Sequence, residues 1–199
     1  MTPLGRVVRL QVQAAPLKSG EKPNRVYSPA AIVEVEELLL TPDGAVGIDG
    51  AGARILDVHN TAHPATRYTD GNTVSFGLTS HYARMRERFG PHMVEGCAGE
   101  NILVETAAPL RLHELGERVG LRSAQSQEIL EFATLRVALP CVEFSKFAIR
   151  NQDAAPADLK PVLQFLDDGT RGFYVTAARA GAIRRGDLLW GQVSTFAGR

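Results

Sequence analysis

Cys141 stands where Leu139-Pro140-Cys141-Val142 closes a long alternating apolar stretch. Proline cannot donate to a β-ladder, so a strand running toward Pro140 has to stop, and the next side chain is delivered to the strand's end. A substrate can reach a thiol placed there. The thiolate is the nucleophile and metal ligand, and an unperturbed cysteine has a pKa of about 8.5, so chemistry at neutral pH needs a nearby cation. Lys146 is close enough in sequence to supply it. The competing reading of Cys141 is a small buried hydrophobe, a common fate of free cysteine.

A second constellation is Gly99-Glu100-Asn101-Ile102, leading into an apolar strand. Glycine lets the backbone approach a ligand closely, while Glu100 offers an acceptor and Asn101 both donors and an acceptor. A turn capped by polar side chains is the alternative. The interval 59–71 carries His59, His63, Arg67 and Asp70. The two histidines lack an acidic partner in a recognised zinc spacing. His63, Arg67 and Asp70 fit better as polar groups rimming a pocket and gripping an anion, since Arg binds phosphate bidentately; a solvated loop is the plain alternative. Cys97 is read either as a buried thiol or as a resolving partner for an oxidised Cys141.

These residues need elements to place them. Period-two alternation predicts strands over 8–13, 33–36, 54–59, 101–104, 128–139, 173–177 and 187–193, with a Pro- and Gly-punctuated loop over 14–30. Leu78, Tyr82, Met85 and Phe89 follow the spacing of one helical face, with Thr79 or Ser80 as cap and Gly90-Pro91 as stop. A second helix is predicted over 157–167, with Pro161 tolerable only in its first turn. The segment 181–187 reads as a tight turn. Short strands with turn signals and two helices predict a mainly β fold. It is expected to be one barrel domain over 1–199, core about 32–193, with the N-terminal strand included.

Composition limits the function. With 22 basic and 22 acidic residues the formal net charge is zero, which gives no footprint for nucleic acid or an anionic membrane. No apolar run approaches the roughly 20 residues of a spanning helix, and no secretory leader is visible, so a cytoplasmic protein is expected. Two cysteines in 199 residues do not make a disulfide framework.

Gly99-Glu100-Asn101-Ile102, the Pro140-Cys141 pair about forty residues later, and the closing Gly181-x-Ile183-x-x-Gly186-Asp187 turn together resemble the MOSC family, named for the C-terminal domain of molybdenum-cofactor sulfurases. The likeness spans about residues 32–189. It departs where many members carry an Arg shortly before the Pro-Cys pair, a stretch filled here by Val137-Ala138-Leu139.

The resemblance implies a barrel-like fold and a cysteine that carries sulfur as a persulfide or ligates molybdenum. A thiolate suits both roles, because both partners favour polarizable sulfur. It makes Cys141 the catalytic and metal-binding residue. Gly99, Glu100, Asn101, His63, Arg67, Asp70 and Lys146 become candidates for holding a molybdenum cofactor, and pyridoxal phosphate binding is a further function it implies. The expected activity is sulfur transfer or reduction of N-hydroxylated compounds, with a small-molecule substrate and an electron- or sulfur-donor protein. A non-catalytic module binding an anion or pterin phosphate is the alternative.

Overall fold

The computed structural model describes residues 2–67 and 74–192. The predicted N-terminal strand over 8–13 extends toward the N-terminus into β1 (Thr2–Gln13). Its alternation is not uniform: Val7, Leu10 and Val12 are buried, while Val8 packs instead against a second apolar cluster. The pairing with the neighbouring strand slips between Val7 and Arg9. Such a bulge flips the side-chain parity, so one strand feeds two cores.

Next come β2 (Lys18–Ser19), β3 (Val26–Tyr27), β4 (Ile32–Glu34), β5 (Glu37–Thr41), β6 (Gly44–Ile48) and β7 (Arg54–Leu56). Then follow β8 (Val74–Leu78), α1 (Thr79–Phe89), β9 (Ile102–Glu105), α2 (Leu112–Leu115), β10 (Arg118–Arg122) and β11 (Ile129–Val137). The chain continues through α3 (Val142–Ala148), α4 (Pro156–Leu166), β12 (Phe173–Ala177), β13 (Gly181–Arg184) and β14 (Leu188–Gln192).

Seven strands close a barrel in the order β14-β10-β11-β12-β8-β9-β1, and β1 pairs back onto β14. Closure removes the free sheet edges. Only the β8–β9 pair is parallel, because α1 makes the crossover between them; the other barrel pairs are antiparallel. The sheet β13-β5-β6-β7 lies outside this ring. Leu10, Phe76, Ile102, Phe173 and Leu189 fill the barrel. Tyr82, Met85, Met93, Phe144 and Leu166 form the second cluster beneath α1, α3 and α4.

The mainly β barrel agrees with expectation; several details correct it. There are four helices among the described residues, not two. The residues directly after Cys141 form α3, with Cys141 as its N-cap. Pro161 sits inside α4 rather than in its first turn. It is exposed, so the ring and the carbonyl it leaves without an amide partner face solvent. Neither Thr79 nor Ser80 caps α1. Thr79 Oγ1 accepts the Thr106 amide and Ser80 Oγ lies 2.7 Å from Thr106 Oγ1. The predicted turn over 181–187 is strand β13 followed by a turn, in which Asp187 Oδ2 accepts the Arg184 amide at 2.9 Å. Among the described residues no helix is long and apolar enough to cross a membrane.

Candidate active site

The loop after β1, strands β2 and β3, the loop after β7, the start of β8, the 98–100 turn and the segment from Arg171 into β12 enclose a cavity of about 600 Å³. Its walls include Lys18, Arg25, Arg67 and Arg171, with Glu100 as the one carboxylic residue among the described lining residues. Lys18 and Arg25 are ion-paired with Glu143 at 3.7 and 3.9 Å, so the wall keeps a cationic bias smaller than its four basic residues alone would give, of the kind that attracts anions.

Glu100 is 4% exposed. Its Oε2 accepts the Tyr82 hydroxyl at 2.9 Å, while Oε1 is buried without a hydrogen-bond partner. Burial pushes its carboxyl up to about 7, because a desolvated carboxylate loses its hydration. The space for Oε1 exists because residue 77 is glycine: a Cβ there would come within 2.8 Å of that oxygen. Gly99 also lines the cavity, with φ +83 and its carbonyl accepting Gln13 Nε2 at 2.6 Å. A side chain at residue 99 would strike Leu17, so this glycine serves both backbone conformation and close packing.

Asn101 points elsewhere. Its Oδ1 accepts the Ser75 amide at 3.0 Å, and its Nδ2 donates to Asp57 Oδ2 at 2.8 Å. Asp57 is fully buried and also accepts the Gln13 amide, the His59 amide and His59 Nδ1. Asn101 thus orients a carboxylate that orients a histidine, and His59 lines the cavity. Sequence spacing did not reveal this. His59 has its acidic partner two residues earlier, within one turn, and Asn101, immediately before β9, lies 44 residues away from Asp57 in the chain.

Cys141 is half-buried at the edge of the second cluster. Although it is not among the cavity's lining residues, it interacts electrostatically with Arg171 and Tyr27, which are. Glu100 interacts with the same two residues. The Gly99-Glu100 turn and the Pro140-Cys141 pair thus share two electrostatic partners. Ala138, three residues before Cys141, lines the cavity itself.

Arg171 donates from Nη1 to the Tyr174 hydroxyl at 3.2 Å and from Nη2 to the Ala98 carbonyl at 3.4 Å. It lies over the Phe144 ring, 5.4 Å from the centroid, and its Nε is buried without a partner. Burial alone would lower its pKa, but Tyr174, Cys141 and Tyr27 together raise it above the ordinary value. Arg171 is thus an electrostatic partner of Cys141, while the side-chain hydrogen-bond partner of Cys141 is Glu143 in the first turn of α3. Lys146 instead lies in the last turn of α3 and is not a cavity residue. Five residues is about 140° around a helix, so Lys146 and Cys141 face different directions. Nothing in the segment Gly169-Thr170-Arg171-Gly172 signalled the role of Arg171 in advance.

His63 holds the loop together: Nδ1 accepts the Ala65 amide at 3.1 Å, and Nε2 lies 3.3 Å from the Ala14 carbonyl. With both ring nitrogens engaged, it is a brace and not a cavity group. Arg67 is exposed and lines the cavity. Asp70 lies outside the described residues. Cys97 is buried in the second cluster, and burial pushes its thiol up to about 12. Two large apolar residues beside Cys141, Leu139 and Val142, are exposed.

No family model matches the sequence, and no curated protein matches it either. Solved structures do match in three dimensions. YuaD from Bacillus subtilis superposes with a TM-score of 0.52 at 14% identity, covering 94% of this chain and 97% of its own. YiiM from Geobacillus stearothermophilus gives 0.51 at 14% identity, covering 96% of this chain and 77% of its own. A third structure, of a hypothetical protein, gives 0.53 at 13% identity over 97% of this chain and 71% of its own. At these identities the likeness establishes the fold alone: this chain is built on the same barrel as YuaD and YiiM.

Proposed function

We propose that this chain is a MOSC-type protein whose cavity receives the anionic part of a molybdenum cofactor, with Cys141 as the thiolate that meets the metal, and that it reduces N-hydroxylated compounds. The observation that carries this reading is the cationic wall of Lys18, Arg25, Arg67 and Arg171, together with the interaction of Arg171 with Cys141. The barrel shared with YuaD and YiiM supports it.

The residues present fit such a group. The partnerless Nε of Arg171 leaves a buried donor for a ligand acceptor. Among the described residues no cluster of three or more His, Cys, Asp or Glu could hold an ion. A metal would therefore come with its own organic ligand and take a single protein donor, for which the soft Cys141 thiolate suits molybdenum. When bound, the cofactor supplies the two-electron redox chemistry. The chain's own residues hold its anionic end by cations, present Cys141 beside Arg171, and keep the Glu100 carboxyl available near neutrality as a proton holder. An electron-donor protein has Leu139 and Val142 as exposed apolar contacts next to the thiol.

Elemental analysis of native protein tests the reading. Molybdenum near one equivalent per chain, lost in Cys141→Ser, is the expected result. Persulfide on Cys141, with no metal, turns the assignment to sulfur transfer by the same thiol. If neither is found and inorganic phosphate still binds, the cationic wall serves a non-catalytic anion-binding module and the catalytic reading is wrong.

A further inference from the structure

We propose that His59, oriented by Asp57 and through it by Asn101, is the proton-transfer group of this cavity. The inference rests on the reductase reading for its substrate class, N-hydroxylated compounds, but its geometry stands independently.

Asp57 is 0% exposed and receives four donors: the Gln13 amide at 2.8 Å, the His59 amide at 2.9 Å, Asn101 Nδ2 at 2.8 Å and His59 Nδ1 at 2.8 Å. An ionised carboxylate only accepts hydrogen bonds, so the hydrogen of the neutral imidazole must sit on Nδ1 and the lone pair on Nε2. Nε2 makes no hydrogen bond among the described residues. The ring belongs to the cavity wall, and its side chain is 39% exposed. A turn alone would need Asp57 and the residue-59 amide, with any side chain at 59. The ring contact, and the buried amide that fixes the far oxygen of Asp57, go beyond that need. A carboxylate that sets the tautomer and aim of a histidine is the arrangement by which proteins prepare a ring nitrogen for proton transfer.

The chemistry requires such a group. Reduction of R–NH–OH to R–NH2 and water consumes two electrons and two protons. The N–O bond breaks with its electron pair going to oxygen, which takes one proton and leaves as water. Two equivalents of a reduced one-electron carrier protein supply the two electrons, which the bound cofactor would relay; they restore the pair on nitrogen, which takes the second proton. His59 as imidazolium gives the proton to the leaving oxygen and is recharged from solvent through its exposed edge. Glu100, in the same cavity, is the second holder.

The test uses the full chain with its cofactor, benzamidoxime as probe and a reduced one-electron mediator. In His59→Asn the side-chain amide still reaches Asp57 while Nε2 is gone. We expect kcat to fall about a hundredfold with KM and melting temperature nearly unchanged, one limb of the kcat pH profile to vanish, and added imidazole to restore part of the rate in His59→Gly. Wild-type kcat and pH profile in His59→Asn would overturn the inference. Long-range 1H–15N spectra of the unmodified protein give a readout independent of activity: the expected tautomer carries hydrogen on Nδ1, and hydrogen on Nε2 overturns the assignment. A wild-type protein that reduces nothing but shows the Nδ1–H tautomer sinks the reductase reading and leaves the oriented histidine in place.

Discussion

The Tyr82 hydroxyl donates to Glu100 Oε2 at 2.9 Å and accepts the Ala98 amide at the same distance, so this buried phenol has no capacity left for Glu100 Oε1. A carboxyl with one oxygen bound and one bare in a dry wall is poorly solvated as an anion, and its position at about 7 follows. His81 is the opposite case: buried, with Nε2 accepting the Leu110 amide, it is lowered to about 4 chiefly by burial and by Arg84.

These two groups predict the pH dependence of stability. Glu100 is raised in the folded state, so its contribution is full below about 4.5 and is lost as pH rises toward about 7. His81 is lowered, so its contribution is full above about 6.5 and is lost as pH falls toward about 4. Each window is worth on the order of 3 kcal/mol. Between about 4.5 and 6.5 the two opposed slopes offset, so wild-type urea midpoints should be nearly level there; Glu100→Gln should leave a midpoint that rises from about 4 to 6.5, and His81→Gln one that falls from about 4.5 to 7. A Glu100→Gln curve that parallels wild type between 4.5 and 7 would show that the carboxyl is solvated.

Arg171 yields the next prediction. Its hydrogen bonds go to the neutral Tyr174 hydroxyl and Ala98 carbonyl, and its remaining Nε has no partner. A buried charge so served contributes little to folding, and an apolar isostere is often as stable or more so. Arg171→Met should leave the melting temperature level or raise it, while weakening anion binding about tenfold and slowing Cys141 alkylation several-fold. A sharp drop in melting temperature with unchanged alkylation would make Arg171 a structural residue. Functional positions commonly trade stability in this way.

How far the sequence carried the reading depends on range. The barrel was legible where a strand such as Phe173–Ala177 alternates cleanly; in Ile129–Val137 the bulge between Phe132 and Thr134 switches the core face from Leu130 and Phe132 to Leu135 and Val137, which a single parity does not show. The hairpin of β5 and β6 was missed. Its run Leu38-Leu39-Leu40 hides the alternation, since Leu39 is only half-buried between two fully buried neighbours. Helix α3 was missed because seven residues give too few turns for a period to register. At the site, Glu100 was legible as a polar residue at a strand entrance, and its neighbour Asn101 was read alike. The two diverge because successive side chains before a strand point to opposite faces: one reaches the cavity, the other the buried Asp57. The cation electrostatically coupled to Cys141 is not the nearby Lys146 but Arg171, 30 residues away in the chain. Nothing local in a sequence encodes such a pairing.

The two thiols should behave very differently. Cys97 is 2% exposed, and burial, with a further contribution from Glu100, holds it as a neutral thiol up to about 12. Cys141 is half-buried, at the end of the segment that leads out of β11, with Arg171 and Tyr27 as electrostatic partners. Iodoacetamide at neutral pH should therefore label Cys141 and leave Cys97 untouched until the chain is unfolded, and peptide mapping by mass spectrometry reads this directly. Cys141→Ser should remove molybdenum retention and N-hydroxyl reduction, because an alkoxide is scarcely populated near neutral pH and oxygen is a poor match for a metal that favours sulfur. The same change should shift the melting temperature little, since a half-buried edge residue has few packing contacts to lose. Cys97→Ser should do the reverse, destabilising by about 1–3 kcal/mol through a hydroxyl placed among apolar neighbours, with cofactor retention intact. If Cys141→Ser lowers the melting temperature as Cys97→Ser does and activity survives, Cys141 is only an edge residue of the second core and the chemistry belongs to the cavity without it.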